Sequence, residues 1–207
     1  MSLRESELFN SSPSWFATLE KYYSQPGRYY HTSSHINALL DFYEHHSHNL
    51  DDAEAVQLAI YFHDVYYDPK ASEVGHNERK SVEMFQEFAT ATGVSEKLSD
   101  SVIALILATI THSPSLSEDT SHKDLTFFLD IDMSILASEA VDYDAYATNI
   151  RKEYQHYDDA AYKSGRTSVL RDFLKSDRIY MSEIFKDSGM EERARSNIKR
   201  EIDQLTS

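Results

Sequence analysis

The chain has 207 residues, and its 35 acidic against 20 basic side chains give a formal net charge of −15, with no cysteine. That balance repels nucleic-acid polymers and anionic membranes, and the missing thiols exclude disulfides, cysteine-ligated zinc, iron–sulfur clusters and thiol catalysis. Five glycines and four prolines leave few tight turns, so an all-α single domain spanning residues 1–207 is expected.

In chain order, Ser12-Pro13 reads as a cap with proline at the first helical position, leading into Trp15, Phe16, Leu19 and Tyr22-Tyr23 and ending at Pro26-Gly27. Ser33 or Ser34 can cap a second helix with Ile36, Leu39, Leu40 and Tyr43 as its stripe. Asp51 can cap a third that runs to about Tyr67, before Asp68-Pro69. A fourth covers about 77–92 and stops at Gly93. Ser95 opens a fifth, whose stretch from Val102 to Ile110 is apolar nearly all round, the mark of a buried central helix. A sixth covers about 124–137, and later helices cover about 142–157, 160–175 and 191–205. No segment alternates with period two, so no sheet is expected. The N-terminus lacks signal-peptide character, and the longest charge-free stretch, 101–117, is too polar to span a bilayer. A soluble cytoplasmic protein is expected.

Four residues are polar where the pattern calls for apolar ones. His35 lies on the stripe of Ala38, Leu39 and Phe42. His63 and Asp64 are adjacent at the end of the most apolar part of the third helix. Asp132 lies in the run FFLDIDMSIL. On a helix, Asp132 shares its face with Phe128, Leu129, Ile135 and Leu136, whereas Asp130 shares its face with Thr126, Phe127, Met133 and Ser134. Asp132 is therefore read as the core-side carboxylate and Asp130 as solvated or locally bonded. A buried carboxylate without a partner is costly, and a divalent cation shared with two histidines and a second carboxylate would answer that cost. Imidazole and carboxylate together suit Mn²⁺, Fe²⁺, Co²⁺, Ni²⁺ or Zn²⁺ better than Ca²⁺.

The order His35, His63-Asp64, Asp132 resembles the HD-domain superfamily of metal-dependent phosphohydrolases. The strings RYYHTSSHI (28–36), AIYFHDVYYDP (59–69), NERKS (77–81), FLDIDMSIL (128–136), IRKEY (150–154), GR (165–166) and RIY (178–180) are similar to its branch of small metal-dependent HD phosphohydrolases. The resemblance implies eight to ten helices around a buried central helix, with a core of about 28–140 and a helical extension of about 141–207. It makes His35, His63, Asp64 and Asp132 the ligands of a divalent metal, with Mn, Fe, Co, Ni, Zn and Mg not distinguished.

Asp64 or Glu78 would take a proton during hydrolysis. Glu78 and His112 stand where related proteins hold a second metal, and His31 would share a helix face with His35. A phosphorylated substrate needs cations, and Arg28, Arg151, Arg166 and Arg178 fall in the family-like strings. Tyr29, Tyr30, Tyr66 and Tyr67 flank the ligands. His45, His46 and His48 lie too far along a helix to reach the same ion and read as a solvated helix end. The implied function is hydrolysis of a small phosphoester, with a nucleotide as one candidate. A ligand-sensing HD module without turnover and a di-iron HD-type oxygenase are the alternatives. No polymeric nucleic acid or membrane partner is expected, and a homo-oligomer is left open.

Overall fold

The protein is described as a computed structural model covering residues 2–10, 12–112, 120–186 and 188–207. Among these residues there is no strand, and nine α-helices dominate: α1 (Pro13–Tyr23), α2 (Ser33–His46), α3 (Ala53–Phe62), α4 (His76–Thr92), α5 (Glu96–Ala108), α6 (His122–Asp132), α7 (Ala140–Glu153), α8 (Asp159–Lys175) and α9 (Met190–Thr206). The all-α architecture is as expected from the sequence. No helix among the described residues is long and apolar enough to cross a membrane. The chain divides into two units, residues 1–129 and 130–207.

Several helix ends follow from local chemistry. Pro13 occupies the first turn of α1. The Ser95 side chain accepts the Leu98 N–H at the start of α5, and Gly93, with φ 75°, ends α4 in the left-handed conformation that glycine adopts without strain. Two caps sit one residue from their expected place. Thr32, not Ser33 or Ser34, accepts the Ser34 N–H and starts α2. Asp52, not Asp51, accepts the Ala55 N–H and starts α3. The Asp51 and Asp52 N–H groups both donate to the buried Asp124 carboxylate, at 2.9 and 2.8 Å.

In the first unit the enclosed helix is α3, not α5. Ala55, Val56, Leu58, Ala59, Ile60, Tyr61 and Phe62 are all at most 1% exposed, because α3 packs against α2, α4 and α5. On α5 only Ser101, Val102, Leu105 and Ile106 are buried. The stretch from Val102 on α5 and most of α3 are both apolar, so periodicity does not rank them; the number of packed neighbours does. Much of the aromatic excess serves this core. Phe9 meets Tyr61 edge-on at 5.0 Å, and Phe62 and Phe88 lie 5.1 Å apart.

The second unit packs α9 against α8, α7 and a 3₁₀ turn, Met133–Ala137. The buried Asn197 amide donates to the Leu136 and Ser138 carbonyls, at 3.0 and 2.9 Å, and closes the end of that turn.

Burial pushes the Asp124 carboxyl above its usual value of 3.8, against the opposing effect of its two N–H bonds. The folded chain then holds this proton more tightly than the unfolded chain. Its contribution is fully present below the unfolded value and is lost as pH rises through the folded one. The stability difference between wild type and Asp124→Asn is therefore expected to shift against the wild type as pH rises from about 4. Urea unfolding of both proteins across that range checks this, and a pH-independent difference would contradict it.

Candidate metal centre

His35 sits in the first turn of α2 and is 5% exposed; His63 is 2% exposed. His63 and Asp64 are not on α3, which ends at Phe62. The His63 N–H still bonds the Ala59 carbonyl at 2.9 Å, and Val65 N–H returns to the Phe62 carbonyl at 3.2 Å, so the chain leaves the helix in a tight turn. Leaving the helix there releases both side chains from the separation of about 100° that an intact helix imposes on neighbours.

The His63 Nδ1 lies 3.0 Å from the Ile60 carbonyl oxygen. A carbonyl only accepts, so Nδ1 carries the hydrogen and, in the neutral ring, Nε2 carries a lone pair. That Nε2 faces the His35 Nε2 at 3.3 Å and the Asp64 Oδ2 at 3.2 Å, and Asp64 Oδ2 lies 3.6 Å from the His35 Nε2. Asp132 ends α6 and, with His35 and His63, makes up a group that could hold a metal ion.

Either a hydrogen on the His35 Nε2, donated to the His63 Nε2, or a shared cation holds groups this close together. Two ligands each ~2.1 Å from one ion, separated by ~90–120°, lie ~3.0–3.6 Å apart, which spans the observed 3.2, 3.3 and 3.6 Å. The residues present thus fit a cation: His35, His63 and Asp132 can hold a metal ion, with Asp64 against both rings. All donors are nitrogen or oxygen.

Rings surround the donors. Phe128 meets His63 edge-on at 5.6 Å, and Tyr30 lies 4.9 Å from His35. His31 precedes α2 instead of lying on it; its ring stacks on Tyr67 at 4.1 Å and sits 6.1 Å from His35. Tyr66 packs edge-on against His76, and Tyr29 is 43% exposed.

Glu78 is half-buried in the first turn of α4, and neither it nor His112 belongs to the cation-holding group. His112 lies beyond α5 with φ 46°, a left-handed conformation uncommon for a residue with a side chain. His45 sits in the last turn of α2, with its Nδ1 2.6 Å from the Asp41 carbonyl, and His46 packs on Phe127.

The aspartate pair differs from expectation. Asp130 is not solvated: it is fully buried, and its carboxylate accepts the N–H groups of Met181 at 2.9 and 3.0 Å and of Ser182 at 2.7 Å. Burial pushes its carboxyl up, against these bonds and the charge of Arg178. Asp132 is the half-buried one. Leu125, Phe127, Phe128, Leu129 and Ile131 are all at most 2% exposed, so the helix is covered on every side. Helical spacing separates the directions of the two carboxylates but not their depths.

Arg28, Arg151 and Arg166 are engaged with protein. Arg28 donates to the carbonyls of His31, Asp64 and Val65. Arg151 donates to the carbonyls of Tyr154 and Tyr157 at the end of α7 and pairs with Asp159 at 2.7 Å. Arg166 forms a two-pronged pair with Glu201 and reaches Tyr146 Oη. Arg178 is exposed.

Two residues of the NERKS string, Asn77 and Ser81, have a positioning role that the string alone did not assign. On α4, the Asn77 Oδ1 accepts the Asp68 N–H and its Nδ2 donates to the Asp68 carbonyl. Ser81 Oγ likewise accepts the Tyr66 N–H at 3.1 Å and faces the Tyr66 carbonyl at 3.4 Å. Their separation of four residues on one helix face was the available signal; together they pin the stretch that carries Tyr67. Comparison with family models, with curated proteins and with solved structures finds no match to this chain.

Proposed function

We propose that the protein is a metal-dependent phosphohydrolase of the HD type acting on a small phosphorylated molecule. One observation carries the reading: the lone-pair nitrogen of His63, the His35 Nε2 and the Asp64 Oδ2 converge within 3.6 Å. The order of these residues along the chain is that of the HD superfamily.

A divalent cation held there supplies a lowered pKa for bound water and polarisation of a phosphoryl oxygen. The chain's own residues do the rest. The Ile60 carbonyl fixes the His63 tautomer, as partners behind metal-binding histidines do. Asp64 is the carboxylate in contact with both rings, and Glu78 is a second candidate to accept a proton from the attacking water. Tyr30, His31 and Tyr67 form a wall on which a flat substrate group can stack.

The test is to purify the protein, count its metals, and assay a broad phosphoester panel after loading Mn²⁺, Co²⁺ or Zn²⁺. Turnover that disappears with chelation and returns with the cation is the expected result. A metal-loaded protein that cleaves none of the panel overturns the reading.

A further inference from the structure

Arg28 lies ahead of α2 and is 8% exposed. Its Nη1 donates to the carbonyls of His31 at 3.2 Å and Asp64 at 2.7 Å, and its Nη2 to the carbonyl of Val65 at 2.7 Å. Its Cζ sits 5.3 Å from the Tyr23 ring centre and 5.6 Å from that of Tyr67. A buried guanidinium is costly unless acceptors surround it. Here the acceptors are main-chain carbonyls of two segments: His31, just ahead of the helix that carries His35, and Asp64 and Val65, in the turn that contains His63 and Asp64.

The turn after α3 needs such a partner. Because α3 stops at Phe62, its last carbonyls lose intrahelical donors. Tyr23 Oη donates to the Tyr61 carbonyl at 2.9 Å, and the His63 ring takes the Ile60 carbonyl. Arg28 takes the two carbonyls that follow His63, where the negative end of the helix dipole also favours a cation. The planar fork of arginine meets neighbouring carbonyls side by side, which the single ammonium of lysine does not.

We propose that Arg28 is a positioning residue of the metal centre: by bonding a carbonyl just ahead of α2 and two carbonyls of the turn after α3 it holds Asp64 and His63 toward His35, and it does not contact substrate. The proposal rests on the metal-centre reading above. It replaces the phosphate-binding role that the sequence suggested for this arginine.

The experiment compares wild type, Arg28→Met, Arg28→Lys and His63→Ala. Co²⁺ affinity is measured by chelator competition, ligand geometry by the visible spectrum of the Co²⁺ form, and metal-free stability by urea unfolding. Both Arg28 variants are expected to bind Co²⁺ about 10–100-fold more weakly, the range for partners that orient metal ligands, with an altered Co²⁺ spectrum. With any phosphoester the wild type hydrolyses, KM at saturating Co²⁺ should stay unchanged. If Arg28→Met does not fold, Arg28→Lys carries the same comparison.

Wild-type Co²⁺ affinity and spectrum in the Arg28 variants overturn the proposal, whether KM rises, as for a substrate contact, or only metal-free stability falls, as for a framework residue. In those cases His63→Ala still loses Co²⁺, so the metal centre stands without this role for Arg28. If the wild type itself binds no Co²⁺, the metal-centre reading fails and takes the proposal with it.

Discussion

His63→Ala is expected to weaken divalent-cation binding by more than ~100-fold, beyond the effect of losing a supporting partner, and to abolish the phosphoester turnover proposed above. The imidazole contributes the nitrogen that faces both His35 and Asp64, so no neighbour can replace it. Thermal unfolding separates this loss from a folding defect. A cation at about 100 times its dissociation constant stabilises the wild type by about 2.7 kcal/mol, and the same concentration should leave His63→Ala nearly unchanged. In the metal-free state the substitution removes one member of a crowded set of electron-rich groups, which offsets part of the packing lost against Phe128. A variant with the wild-type response to cation would remove His63 from the ligand set.

The second large effect is one of stability. Arg166→Met is expected to destabilise the second unit by about 3–5 kcal/mol, the cost of leaving a buried charge without its partner. The Arg166 and Glu201 side chains are 11% and 5% exposed. Their pairing is two-pronged, at 2.8 and 3.1 Å. Tyr143 Oη also donates to Glu201 Oε2 at 2.6 Å, which places the loss toward the lower end of that range. The double variant Arg166→Met with Glu201→Leu should recover much of the stability, since an apolar pair of similar volume avoids the desolvation cost. A double-mutant cycle by urea unfolding measures the coupling. Additive losses would show that the two side chains do not act as a pair.

Much of the fold was legible in the sequence. Pro13, Ser95 and Gly93 mark helix ends by chemistry that operates within one turn of chain. The all-helical class followed from scarce breakers and from the lack of alternation. The candidate site was legible because His35, His63, Asp64 and Asp132 interrupt apolar stripes, and stripes are local patterns. The end of α3 was not. The segment 53–67 stays apolar past Phe62, so periodicity extends the helix, yet the chain turns out where Tyr23, Arg28 and the His63 ring take its carbonyls. Those donors lie 36 to 38 positions away for Arg28–Asp64 and Tyr23–Tyr61, beyond the reach of a local pattern.

Residue chemistry and helical spacing determined by themselves that this chain is all-α, that a candidate ion site uses nitrogen and oxygen, and which side of α6 carries Asp132. Tertiary structure alone decided that α3 rather than α5 is enclosed, and that Asp130 is buried against the N–H groups of Met181 and Ser182. It also decided that the arginine nearest the histidines holds carbonyls. The physical reason is common to all three. Burial and hydrogen-bond assignment depend on how many groups from distant positions crowd one place, whereas capping and amphipathicity depend only on neighbours three or four residues away.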